Sequence, residues 1–84
     1  MFWVYILKSL KNNSYYTGSC GNVDKRLNLH NNGLVKSTKG YIPWDLVYKE
    51  KFESLSLARS RELQIKSWKK RSYIESLIET FQNF

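Results

Sequence analysis

Six consecutive apolar or aromatic residues, Phe2-Trp3-Val4-Tyr5-Ile6-Leu7, constrain the fold of this chain more than any other segment. β-Branched and aromatic side chains favour an extended backbone, and a run without polar alternation leaves no face for water. The segment reads as a strand buried on both faces. It is far too short to cross a bilayer and lacks the basic flank of a signal sequence. Lys11-Asn12-Asn13-Ser14 is a turn signal, because Asn tolerates positive φ, and Tyr15–Cys20 returns as the second strand of a hairpin. With the turn centred on Asn12-Asn13, paired residue numbers total 25, which sets Tyr5 opposite Cys20. Tyr16 then projects from the same side of the sheet as Tyr5.

Past the hairpin the pattern turns helical. Asn22 is a fitting N-cap with Asp24 in the first turn, and the helix runs from Val23 to about Asn32. Gly33 fits the left-handed position after its end. Arg26 and His30 are i,i+4 neighbours on this helix. A basic loop, 34–42, precedes Pro43, which starts a third strand through Trp44 to about Phe52. Ser54 can cap a second helix running to about Lys69, with Leu55, Ala58, Ile65 and Trp68 facing inward. Ser72 and Glu75 form a capping-box pattern for a third helix, about 72–82, whose apolar positions are Ile74, Leu77, Ile78 and Phe81. The order β-β-α-β-α-α describes one small α/β (α+β) domain over residues 1–84, its core at about 2–70. A chain this short buries only roughly 60–65% of its unfolded surface, so each large apolar side chain counts.

The formal net charge is +7, and it is unevenly spread. Residues 1–42 hold six Lys/Arg against one acid, whereas residues 43–84 hold eight against six. A basic surface where the tyrosines lie favours a polyanion through counterion release. Lys36, Thr38 and Lys39 of the loop, together with Lys66, are the candidate nucleic-acid contacts. Cys20 is the only cysteine, so no internal disulfide and no cysteine metal cluster can form, which suits a reducing cytoplasm. It reads as a small packing residue.

Five residues can carry chemistry. Glu62 interrupts the apolar pattern of the second helix at the margin of its buried stripe, where a carboxylate needs a partner or a metal. Lys66, Arg59 or Arg61 can pair with it; alternatively it holds a hydrated Mg²⁺, which binds through one or two carboxylates plus substrate phosphate. Tyr5 and Tyr16 are either strand aromatics filling space or members of a site. Arg26 offers a bidentate fork for phosphate or is simply a solvated helix charge. His30 is a proton carrier or a helix-end cation near the C-terminal dipole.

The ordered set Val4-Tyr5-Ile6, Tyr16-Thr17-Gly18, Arg26, His30-Asn31-Asn32-Gly33 and Glu62 closely resembles a GIY-YIG nuclease domain. The resemblance covers roughly residues 2–70 and is strongest to the small stand-alone bacterial type, related to the N-terminal nuclease domain of the excinuclease C subunit. It implies a three-stranded, mainly antiparallel sheet flanked by helices. It also implies one divalent metal ion, Mg²⁺ or Mn²⁺, carried by Glu62. Tyr5 and Tyr16 would line the site, one of them helping to deprotonate the attacking water. Arg26 would stabilise charge on the scissile phosphate, and His30 would assist proton transfer or substrate placement.

Val4 and Thr17 depart from the family's tripeptides without removing a functional group. Ser19 stands where the excinuclease branch has a lysine, and no asparagine occupies the stretch after Glu62 where several relatives carry one. The resemblance implies a metal-dependent endonuclease acting on nucleic acid, DNA in the first place, in repair or in processing of branched or single-stranded DNA. The alternative is a nucleic-acid-binding module on the same scaffold with little or no catalysis. No membrane partner and no dedicated protein partner is evident. A further alternative is an interaction domain that recognises another protein through exposed aromatics.

Overall fold

The computed structural model describes residues 1–82. Strands β1 (Phe2–Ser9), β2 (Tyr15–Cys20) and β3 (Trp44–Phe52) form an antiparallel sheet in the order β2-β1-β3. Helix α1 (Val23–Asn31) follows β2, while α2 (Leu55–Lys66) and α3 (Arg71–Gln82) follow β3. The apolar run is the central strand, and Val4, Tyr5, Ile6 and Leu7 are all buried. Val4 and Ile6 pack with Ala58 and Ile65 of α2 and Ile78 of α3. Tyr5 and Leu7 pack with Val23 of α1 and with Trp44. Two cores thus lie on opposite faces of one sheet, which is why β1 lacks polar alternation.

The hairpin differs from the sequence expectation in register but not in facing. Tyr5 pairs with Gly18, so paired numbers total 23. The loop closes earlier, with Ser9 N–H donating to Ser14 O at 2.8 Å and Asn13 at φ 63°. Ser9 Oγ fixes this turn by accepting from Lys11 N and Asn12 N at 3.1 and 3.2 Å. A slip of two residues preserves facing, so Tyr5 and Tyr16 still share one side. The β1–β3 ladder shifts register between Ile6 and Leu7, where Ile6 pairs with Tyr48 and Leu7 with Leu46. This bulge leaves Val47 as the extra residue, and both Val47 and Tyr48 turn into the α2/α3 core.

Asn22 caps α1 by accepting from Lys25 N at 3.0 Å, and Gly33 has φ +74° after the helix end. Ser54 caps α2 through Leu57 N. That helix ends at Lys66 rather than near Lys69, its final carbonyls taken by the Ser67 N–H and hydroxyl. The capping box at α3 does not form. The helix starts at Arg71, so Ser72 lies inside its first turn, and Glu75 instead pairs with Arg71 and accepts the Tyr15 hydroxyl.

Candidate active site

Tyr5 projects from the central strand on the α1 side and is 1% exposed. Its ring crosses Gly18, its partner on β2; a Cβ there would meet the Tyr5 hydroxyl oxygen at 2.5 Å. The glycine of the second tripeptide is therefore the space that the tyrosine of the first one occupies. Beyond Gly18 the phenol lies 3.1 Å from His30 Nε2, and the guanidinium of Arg26, one turn earlier on α1, interacts with the Tyr5 hydroxyl. His30 Nδ1 is 2.7 Å from Thr38 Oγ1, which lies 3.3 Å from Val35 O.

The donor inventory fixes the direction of these bonds. Arg26 can only donate, and Val35 O can only accept. Thr38 spends its single proton on Val35 O, so it accepts from His30 Nδ1–H. His30 Nε2 is then the acceptor of the Tyr5 O–H. The chain Tyr5 → His30 → Thr38 → Val35 runs one way and sets His30 in the Nδ1–H form, with the Arg26 guanidinium beside the phenol. Burial, followed by the Arg26 charge, lowers the His30 pKa below its ordinary value. Burial pushes the Tyr5 phenol up to about 12, although Arg26 opposes the shift. His30 is thus not the solvated helix-end cation that its place in the sequence allows.

Tyr16 completes this face. Its ring centroid is 4.9 Å from that of His30, 6.3 Å from Tyr5 and 6.3 Å from Trp44. It is only partly buried, so it borders solvent where Tyr5 does not. Trp44 is fixed from three sides: Asn31 accepts from its N–H at 2.6 Å and donates to its carbonyl at 3.0 Å, and Nε1–H donates to Thr38 O at 3.0 Å. Asn31, Thr38 and Trp44 are the supports that sequence reasoning missed. The one available signal was Asn31, directly after His30 at a helix end.

Glu62 does not join the tyrosines on their face. It lies on α2, which packs against the other side, and it approaches the free edge of β2. Its Oε1 accepts the Ser19 hydroxyl at 2.6 Å and its Oε2 accepts from Lys66 Nζ at 2.6 Å. The same Nζ lies 5.7 Å from the Tyr16 ring centroid, so Lys66 reaches round the β2 edge and bridges the two groups. Burial alone would raise the Glu62 pKa. The bonds from Lys66 and Ser19, with the Lys66 and Arg59 charges, outweigh it and hold the carboxyl below its ordinary range.

A family model of the GIY-YIG catalytic domain matches residues 1–74. The chain belongs to the GIY-YIG family. It is 51% identical to a UPF0213 protein of Clostridium perfringens over 79% of this chain and 71% of that protein. It is 42% identical to a UPF0213 protein of Staphylococcus haemolyticus over 92% and 94% of the two chains. The solution structure of a UPF0213 protein from Bacillus halodurans superposes with a TM-score of 0.59 at 35% identity, covering 95% of this chain and 85% of that one. The GIY-YIG domain is a nuclease domain, its substrate is nucleic acid, and family members generally use divalent metal ions.

Whether this GIY-YIG chain has a donor set for such an ion is a question about Glu62. No group of three or more His, Cys, Asp or Glu converges among the described residues. Glu62 is a single ionised carboxylate beside a recess of about 160 Å³ that it lines with Arg59 and Leu63. Each of its oxygens accepts one bond, and each retains a second lone pair. That donor set fits a hard cation keeping most of its water, and not a zinc cage.

Among the other expected contacts, Lys36, Lys39 and Lys66 are exposed. Thr38 is a correction. It is 1% exposed, and its hydroxyl is committed to His30 and Val35, so it has no surface to offer nucleic acid. Cys20 packs in the α1-side core, and burial raises its thiol pKa, as suits a packing residue. No helix among the described residues is long and apolar enough to cross a membrane.

Proposed function

We propose that this GIY-YIG domain is a metal-dependent endonuclease that hydrolyses DNA phosphodiester bonds, in repair or in processing of branched or single-stranded DNA. The observation that carries the reading is the bridge across the β2 edge. Lys66 links the ionised Glu62 to Tyr16, whose ring borders His30 on the face that also holds Tyr5 and Arg26. In this reading an acid and a cation on the β2 edge work with the partly buried Tyr16 phenol and the Arg26 guanidinium on one phosphate.

In the proposed reaction a water oxygen attacks phosphorus in line, the bond to the leaving sugar oxygen breaks, and that oxygen takes a proton from solvent. Arg26 is exposed and fully charged, and its fork holds the non-bridging oxygens as negative charge builds. Tyr5 is a positioning residue. With a pKa near 12, only roughly one phenol in 10⁵ is ionised at neutral pH. Its role is to hold Arg26 and His30 in register. Tyr16 is the phenol that meets solvent; once its own proton has gone to solvent, its phenolate oxygen takes the proton of the attacking water. Lys66 supplies the cation that Ser19 does not. A divalent ion carried by Glu62 would add Lewis-acid charge at the phosphate.

The test is nicking of single-stranded, duplex and branched DNA with Mg²⁺ or Mn²⁺, comparing wild type with Glu62→Ala. Identical background cleavage by the two proteins removes the enzyme reading. One observation favours a binding module instead: both Glu62 oxygens already accept a bond, so a cation must compete with Lys66. Salt-sensitive binding without metal-dependent cleavage on any of these substrates selects that alternative.

A further inference from the structure

The basic loop carries an aromatic ring that the site does not use. Tyr41 ends the short turn Lys39–Tyr41 and is 46% exposed. A single exposed tyrosine is ordinary. What sets this one apart is how firmly its backbone is held. The wholly buried Ser9 donates its hydroxyl to Tyr41 O at 2.6 Å, and Tyr41 N–H donates to Thr38 O at 3.1 Å. The same Thr38 carbonyl accepts Trp44 Nε1, and Lys11 Nζ donates to Gly40 O at 3.2 Å. Tyr41 is thereby tied to the central strand, the hairpin turn and Trp44, while its ring stays open. Lys36 and Lys39 on the same loop are exposed, and neither pairs with a carboxylate among the described residues.

We propose that Tyr41, flanked by Lys36 and Lys39, is a stacking platform for an unpaired nucleobase of the strand whose phosphates these lysines grip. This rests on the nucleic-acid reading above and adds a substrate feature to it: an unpaired base close to the cleavage position. Every base has a π-face, so an aromatic platform beside cations takes single strands with little regard for sequence. Within a duplex those faces are already stacked. A fixed backbone lowers the ordering cost of binding. Placement favours the same substrate. Three residues span at most about 11 Å of chain, and the Tyr41–Thr38 bond shortens that path. Thr38 itself touches His30, so the loop that carries the platform is joined to the His30 end of the site.

The experiment is fluorescence anisotropy in metal-free buffer with a labelled oligothymidylate and with a duplex of equal length. The single strand is then repeated with 2-aminopurine inserted as a reporter of stacking. Wild type is expected to bind the single strand more tightly than the duplex and to quench 2-aminopurine. Tyr41→Ala should bind the single strand about tenfold more weakly, lose the quench and leave duplex affinity unchanged. Tyr41→Phe should behave as wild type. The fold should survive Tyr41→Ala, because the bonds that hold this loop use backbone atoms, and a thermal melt checks it. Single-strand binding by Tyr41→Ala equal to wild type, or equal losses on both substrates, overturns the platform and leaves the nuclease reading intact. Wild type that binds neither substrate overturns both.

Discussion

The Tyr5 ring lies across Gly18, its direct partner on the neighbouring strand, so the hydroxyl oxygen occupies the volume a side chain at residue 18 would need. The carbon that bears the hydroxyl would lie at 2.7 Å as well, and this buried side chain is held by His30, so neither atom can give way cheaply. Gly18→Ala should therefore destabilise the fold by about 1–3 kcal/mol, the usual range for overpacking a filled core. Urea unfolding measures it. In a Tyr5→Ala background the same substitution should cost much less, because the clash is gone.

Stability should fall on mild acidification, and His30 sets where this begins. Its folded pKa lies below the ordinary 6.5, so below that pH the unfolded chain binds a proton that the folded chain refuses. The loss starts near pH 6.5 and grows, by at most about 1.4 kcal/mol per pH unit, until the folded form also protonates. The Glu62 carboxyl, also depressed, contributes stability present above its unfolded value and lost only at lower pH. Melting curves between pH 7.5 and pH 5 should slope in wild type and be nearly flat in His30→Gln.

Thr38→Val keeps the shape of the side chain and removes the acceptor for His30 Nδ1–H. A buried donor left without a partner costs about 1–3 kcal/mol. Thr38→Ser should recover most of that loss. Denaturant midpoints of the three proteins check the order.

Arg26→Lys should separate chemistry from folding. The side chain is exposed on α1 apart from its approach to the Tyr5 hydroxyl, so stability should change by no more than about 0.5–1.5 kcal/mol, the net worth of one hydrogen bond. A lysine cannot form the planar fork, so cleavage should fall by about tenfold or more. Single-turnover cleavage beside a thermal melt reads both quantities.

The elements of this fold were legible wherever the signal was local. The unbroken run at Phe2–Leu7, Asn22 before α1, Gly33 after it and Ser54 before α2 each state a backbone requirement through their own chemistry. The shared face of Tyr5 and Tyr16 was also legible, because facing depends only on parity and survives a two-residue change in register. Contacts set by tertiary packing were not. Ser72 and Glu75 fit a capping box, but Arg71 lies close enough to Asn13 and Tyr15 to begin α3 earlier and draw Glu75 away. Thr38 looks like one polar residue in a basic loop, and only the approach of His30 and Trp44 shows it to be buried. The site was legible as a set of residue types. Its division across the β2 edge was not, because helix periodicity places Glu62 relative to its own helix and not relative to a strand.

That division makes Glu62 the decisive residue, and Glu62→Gln the decisive variant. It keeps the shape of the side chain and can still accept from Ser19, while removing the charge that a divalent ion needs. The measurement is the single-turnover rate of DNA cleavage across a Mg²⁺ titration, for wild type and Glu62→Gln. Wild type should show saturable Mg²⁺-dependent cleavage, and the variant should be slower by at least about a hundredfold at every Mg²⁺ concentration. Equal Mg²⁺-dependent rates in the two proteins would rule out Glu62 as the carrier of the ion.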